Sequence, residues 1–208
     1  MHHYYIFHKP AGCITALRDA SEPTILLYLD SLDMTKLRPV GRLDRDTEGL
    51  LILTDDGMYN QHMTHPDAGI EKEYFFWALG SFSEEKRKIL LQGAKLAGKV
   101  PQAVPTPLQA LPQQTLTARP AQVTVVQTAH LTDIHEFIKG KRREHILKNR
   151  PDTPVFSGYI TVTEGRKHEV KRLLKSIGCC CVYLKRVRMG DVVLPDDLKA
   201  GEVREFVP

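Results

Sequence analysis

Cysteine is scarce and badly spaced for metal chemistry: the chain holds only Cys13 and the adjacent triplet Cys179, Cys180 and Cys181. The C-x-x-C spacing of a zinc site is therefore missing. Flanked by Val182, Tyr183 and Leu184, the triplet reads as small core residues on a strand rather than a redox centre. No apolar stretch comes near the roughly 20 residues that a membrane-spanning helix needs. The opening MHHYYIFHKPAG lacks the basic-then-apolar order of a signal peptide. The expected setting is the cytoplasm, with no membrane partner, and His2 and His3 are given no role. A dominant charge is absent too: 29 Lys and Arg oppose 25 Asp and Glu, a net +4, so overall charge alone names no partner. Repeats and low-complexity blocks are also missing.

What is present begins with ordinary globular composition, 42% hydrophobic and 26% charged, which excludes wholesale disorder. A chain of 208 residues can build a substantial core. Basic charge is unevenly placed. KGKRREHILKNR, from Lys139 to Arg150, has six Lys or Arg and one Glu, and GRKHEVKRLLKS forms a second cluster. Two such concentrations in a nearly neutral chain suggest a phosphate-binding face, although two solvated helix faces would look alike.

The apolar pattern predicts strands at Tyr4 to His8, Leu50 to Thr54, Lys72 to Leu79, Ala121 to Gln127, Phe156 to Thr163, Cys180 to Arg186 and Asp191 to Leu194. Helices are expected after Ser21-Glu-Pro-Thr24, from Ser83 through Leu91, and from His168 to Ile177 with Gly178 as its stop. Asp55-Asp56-Gly57 reads as a tight turn. Five prolines between Lys99 and Pro120 suggest loops and short edge strands. Strands mostly follow one another directly, which predicts an α+β fold with a largely antiparallel mixed sheet and flanking helices.

GRLDRDTEGLLILTDDG, Gly41 to Gly57, sets Asp44, Asp46 and Glu48 around Arg42 and Arg45 and then runs into Leu50, Leu51, Ile52 and Leu53. A loop feeding a buried strand can hold a carboxylate rigidly, yet Asp44 alone could equally be a turn or salt-bridge residue. KPAG at Lys9, EKEY at Glu71 and EGRKHEVKR at Glu164 complete an ordered set. Together these stretches, and the ending LPDDLKAGEVREF, resemble the RsuA-like family of ribosomal RNA pseudouridine synthases over nearly the whole chain.

The resemblance implies the pseudouridine synthase catalytic fold and an isomerase. Such an enzyme breaks a uridine's C–N glycosidic bond, turns the base and rejoins it through carbon, without metal or cofactor. It implies that Asp44 is the nucleophile, that Tyr74 packs on the target base, and that Lys171, or failing it Arg172, is the cation beside Asp44. Tyr74 could otherwise be a core tyrosine, and Lys171 a solvated one. Arg42, Arg45, Lys9, Arg172 and His168 are expected to hold substrate, with Arg45 a candidate to fill the gap left by a flipped base. Asp46 and Glu48 are expected to pair with Arg42 or Arg45. Where the family commonly has Gln, this chain has Glu169, which would repel phosphate unless paired.

The expectation is one catalytic domain over residues 1–208, with lobes of about 1–65 and 66–208 and a basic insertion of about 130–154. It would act as a monomer on ribosomal RNA of either subunit, a short member without the S4-type module that many relatives carry. Two other readings remain: a non-catalytic RNA-binding or ribosome-assembly factor of the same fold, and a metal-dependent nuclease using Asp44, Asp46 and Asp55 or Asp56.

Overall fold

The structure is a computed structural model and describes residues 2–96, 116–138 and 153–208. The basic segment from Lys139 to Arg150 and most of the proline-rich stretch lie outside the described residues.

The strands are β1 (Tyr4–Lys9), β2 (Arg38–Pro39), β3 (Glu48–Thr54), β4 (Lys72–Leu79), β5 (Lys95–Leu96), β6 (Leu116–Thr117), β7 (Gln122–His130), β8 (Pro154–Val162), β9 (Cys180–Met189), β10 (Val192–Val193) and β11 (Val203–Glu205). One sheet runs in the order β11-β1-β3-β9-β4-β8-β7, with β2 added to β3 and β10 to β9; β5 and β6 form a separate pair. Every pairing between these strands is antiparallel except that between β3 and β9. The fold is thus α+β with a largely antiparallel mixed sheet.

β3 is buried along its whole length, because alternating side chains serve two cores. Leu50 and Ile52 pack with Ile6, Met63 and Met189 on one face; Leu51 and Leu53 pack with Phe7, Ile25 and Leu43 on the other. β4 does the same. Phe76 and Ala78 join the core beneath the helices, and Trp77 joins Leu131 and Val155 opposite. Tyr74 touches both the first of these clusters and the one around Phe7, so it stands where the two halves of the sheet meet.

That junction is the short parallel seam, Glu48 beside Lys185 and Gly49 beside Arg186. Gly49 has φ +107, and a Cβ there would lie 2.2 Å from the Arg186 carbonyl oxygen; only glycine fits. Across β4 and β9, Lys72 pairs with Met189 and Glu73 with Arg188, but Tyr74 pairs with Arg186. Val187 is the extra residue of a β-bulge, and its carbonyl accepts the Leu194 N–H at 2.8 Å. The bulge lets Arg186 and Met189, three residues apart, face the same side as Lys72 and Tyr74.

The helices are α1 (Gly57–Thr64), α2 (Glu84–Leu91) and α3 (Glu169–Ser176). Ser83 caps α2 as expected, accepting from the Lys86 N–H. The helix expected after Ser21 is only a 3-10 turn, Ile25–Tyr28, and its cap is Thr24. The supposed turn at Asp55-Asp56-Gly57 starts α1 instead: the Asp56 carboxylate accepts from the N–H groups of Met58 and Tyr59. The four cysteines are free thiols, with Cys13 and Cys179 buried.

Candidate active site

The loop between β2 and β3 carries Asp44 and is pinned from beneath. Lys9 is fully buried, and its ammonium donates to the carbonyls of Pro10, Asp44 and Thr47 at 3.0, 3.2 and 3.0 Å. The Thr15 hydroxyl both donates to the Leu43 carbonyl and accepts the Leu43 N–H, at 2.9 and 3.1 Å. Lys9 was expected at the substrate. Instead its three donors are taken up by backbone carbonyls, two of them in the loop, so it supports the Asp44 loop from below.

Above the loop opens a cavity of about 620 Å³, lined by the loop itself, by β4 and β9, and by the Gly165 to Val170 segment. Asp44 is a quarter exposed. Its Oδ2 accepts from the Lys171 Nζ at 2.8 Å, and its Oδ1 lies 3.4 Å from the His168 Nε2. Lys171 also donates to Asp46 at 2.5 Å. Burial alone would lower the Lys171 pKa, but the two carboxylates outweigh it and the net direction is upward. Asp46 therefore pairs with Lys171, not with Arg42 or Arg45, and Glu48 accepts from the Tyr183 hydroxyl. Two elements supply these partners: α3 delivers an ammonium to the loop, and β9 delivers a phenol to the start of β3.

Tyr74 lines the same cavity, with burial pushing its phenol pKa up against the pull of the Arg186 guanidinium beside it. His168 precedes α3 in a left-handed conformation, φ 55, the one non-glycine residue with positive φ among the described residues. A strained cap beside a functional carboxylate is a recurrent arrangement. Arg42 is exposed and lines the cavity. Arg45 is held at the rim by Glu22 at 3.0 Å. Arg172 is not among the lining residues, and Lys171 takes the place beside Asp44.

The sequence pointed to Glu169 but not to its burial, and gave no sign of two buried cations. Glu169 is buried, hydrogen-bonded to Glu164 and pushed up to about 7, first by burial and then by the neighbouring carboxylate. Glu164 is fixed by Arg166 at 2.7 Å and by the Arg119 N–H at 3.0 Å. Glu169 is thus drawn toward its neutral form, which lessens the repulsion expected of it. Lys72 and Arg186 are buried cations on the cavity wall. Asp55 and Asp56 lie elsewhere, accepting from the His3 N–H and capping α1. The carboxylate set of a metal nuclease is not assembled, and among the described residues no group of His, Cys, Asp and Glu is placed to hold a metal.

A carboxylate paired with an ammonium, a tyrosine ring and exposed basic side chains thus surround one cavity, the equipment of an enzyme site. Residues 3–176 match the family model described as RNA pseudouridylate synthase, and the chain belongs to that family of isomerases. It is 29% identical over 201 residues to ribosomal small subunit pseudouridine synthase A of Yersinia pestis, covering 97% of this chain and 68% of that relative. The Escherichia coli (strain K12) protein of the same name is 28% identical, with 97% and 69% covered. A solved pseudouridylate synthase superposes with a TM-score of 0.73 at 28% identity, over all of this chain and 71% of that one. Human RNA pseudouridylate synthase domain containing 1, at 13% identity and a TM-score of 0.60, shares the fold.

Proposed function

We propose that this protein converts a specific uridine of ribosomal RNA, in the small subunit, to pseudouridine, with Asp44 as the nucleophile. The observation that carries the reading is the placement of Asp44: rigidly held, charge-paired with Lys171 and opening onto the cavity that Tyr74 lines. Relatives named for the small subunit support the choice of RNA. In this reading the uridine flips out of its stack and its base lies on the Tyr74 ring. Arg42, Arg45 and His168 meet the flanking phosphates, and the segment from Lys139 to Arg150 adds electrostatic affinity. The chain works in the cytoplasm as a monomer, a single catalytic domain with lobes of about 1–65 and 66–208.

The isomerisation exchanges a hydrogen at uracil C5, so ribosomal RNA tritiated there should release tritium on incubation with the protein. Asp44→Asn should fold normally and release none. Undiminished release by that variant would remove Asp44 from the chemistry. Mapping pseudouridine in ribosomal RNA with and without the gene would identify the position.

A further inference from the structure

Lys72 and Arg186 are charged side chains on the cavity wall to which the reading above gives no task. Their exposures are 6% and 2%. Lys72 donates to the Ile70 carbonyl at 2.9 Å and the Arg186 Nε to the Leu50 carbonyl at 2.8 Å. The Arg186 Nη2 has no hydrogen-bond partner among the described residues. Among the described residues neither has an ion pair of its own, a costly arrangement for a buried cation. They are also close enough for Arg186 to disfavour the charge on Lys72. The neighbouring carboxyl, Glu169, is drawn toward its neutral form by its burial and then by Glu164, which weakens the support it gives Lys72.

Position says what such charge could serve. Both cations share a side of the sheet with Tyr74, Arg186 directly across from it in register. The mouth of the cavity has its own exposed cation, Arg42, for phosphate. The wall beside the tyrosine is where a base would lie.

We propose that Lys72 and Arg186 are catalytic residues that stabilise the uracil anion formed when the glycosidic bond breaks. This rests on the function proposed above. The Asp44 carboxylate bonds to C1′ as the C1′–N1 electron pair leaves with the base. The resulting negative charge spreads over N1, O2 and O4, which accept from guanidinium and ammonium groups that can only donate. After the base turns, C5 bonds to C1′ and Asp44 departs with its electron pair. The C5 proton is lost to solvent and N1 takes one up. No oxidant or reductant is needed. Cations fixed where charge develops, out of water, act without reorganising.

The test is single-turnover conversion of uridine in ribosomal RNA by Arg186→Met and Lys72→Met, with RNA affinity and Tm measured alongside. Each variant should lose at least about 100-fold in rate at saturating RNA, with Kd within about threefold of wild type. Tm should hold or rise, since methionine replaces a buried cation lacking a counter-charge. Arg186→Lys should retain an intermediate rate. Wild-type rates in both methionine variants would overturn the proposal. So would a loss that appears in Kd and vanishes at saturation with a shallower salt dependence, the mark of a phosphate contact. If Arg186→Met fails to fold, Lys72→Met decides by the same criteria. A wild-type protein that converts no uridine sinks the function itself; an active wild type matched by both variants sinks only this assignment.

Discussion

Two carboxyl groups that share a hydrogen bond must also share a proton, and Glu169 with Glu164 makes the site carry a pH-dependent strain. The folded-state pKa of Glu169, about 7, lies above the ordinary 4.5, so the native state binds the extra proton. Stability should fall as pH rises from about 4.5 to 7 and then level off. Arg166, Lys72 and Tyr74 are the other titratable or charged groups around it. Glu169→Gln keeps the shape and removes the titration. It should flatten that slope and stabilise the protein at pH 8 by roughly 1–3 kcal/mol, read as a Tm difference between pH 5 and pH 8. Lys171 follows the same sign in a different window: its raised pKa means its contribution is full below the ordinary 10.5 and is lost only at higher pH, so it sets no neutral-range limb. Lys171→Met should cut turnover by about 100-fold or more, while Lys171→Arg retains part of it; equal rates in the two variants would deny the charge a role. Asp44, Tyr74 and Lys171 could be picked out of the sequence because short motifs mark them. Lys72 and Arg186 could not. Lys185, Arg186 and Arg188 look interchangeable in CVYLKRVRM, and only the bulge at Val187 decides which one turns inward.

Among the elements, β3 and β4 were legible because their apolar residues fill every other position on both faces. α1 was not. Its sequence, GMYNQHMT, buries only Met63 and offers no helical stripe, so an aspartate that caps looked like one that turns. The capping residue at the other end of the site, His168, holds φ 55 at a cost typical of the left-handed region, about 1–2 kcal/mol. His168→Gly should relieve that strain and raise the urea midpoint, while weakening turnover through the lost neighbour of Asp44; a lower midpoint would show that the conformation is not strained. Gly49→Ala is the opposite case. With φ +107 and a backbone oxygen 2.2 Å from the new Cβ, it should destabilise by at least about 2–3 kcal/mol, visible as a lower urea midpoint with unchanged slope.

For the molecule as a whole, β9 belongs to both halves of the sheet: it pairs with β3 on one side and β4 on the other. Met189 packs in the core around Leu50, and Leu184 in the core around Phe76. Neither half can unfold and leave the other intact. Fluorescence of Trp77, the only tryptophan, should therefore follow the same urea transition as far-UV circular dichroism; two separated midpoints would contradict this. The strand order was beyond reach from sequence, because a long-range pairing such as β1 with β11 leaves no local trace. It has a temporal meaning all the same. Asp44 and Lys171 are 127 residues apart, so on a translating ribosome the Asp44 carboxylate emerges well ahead of its counter-ion, and the first strand waits for one of the last. A half-made chain already holds Lys9 and Thr15, which pin the Asp44 loop, but not the ammonium that pairs with its carboxylate.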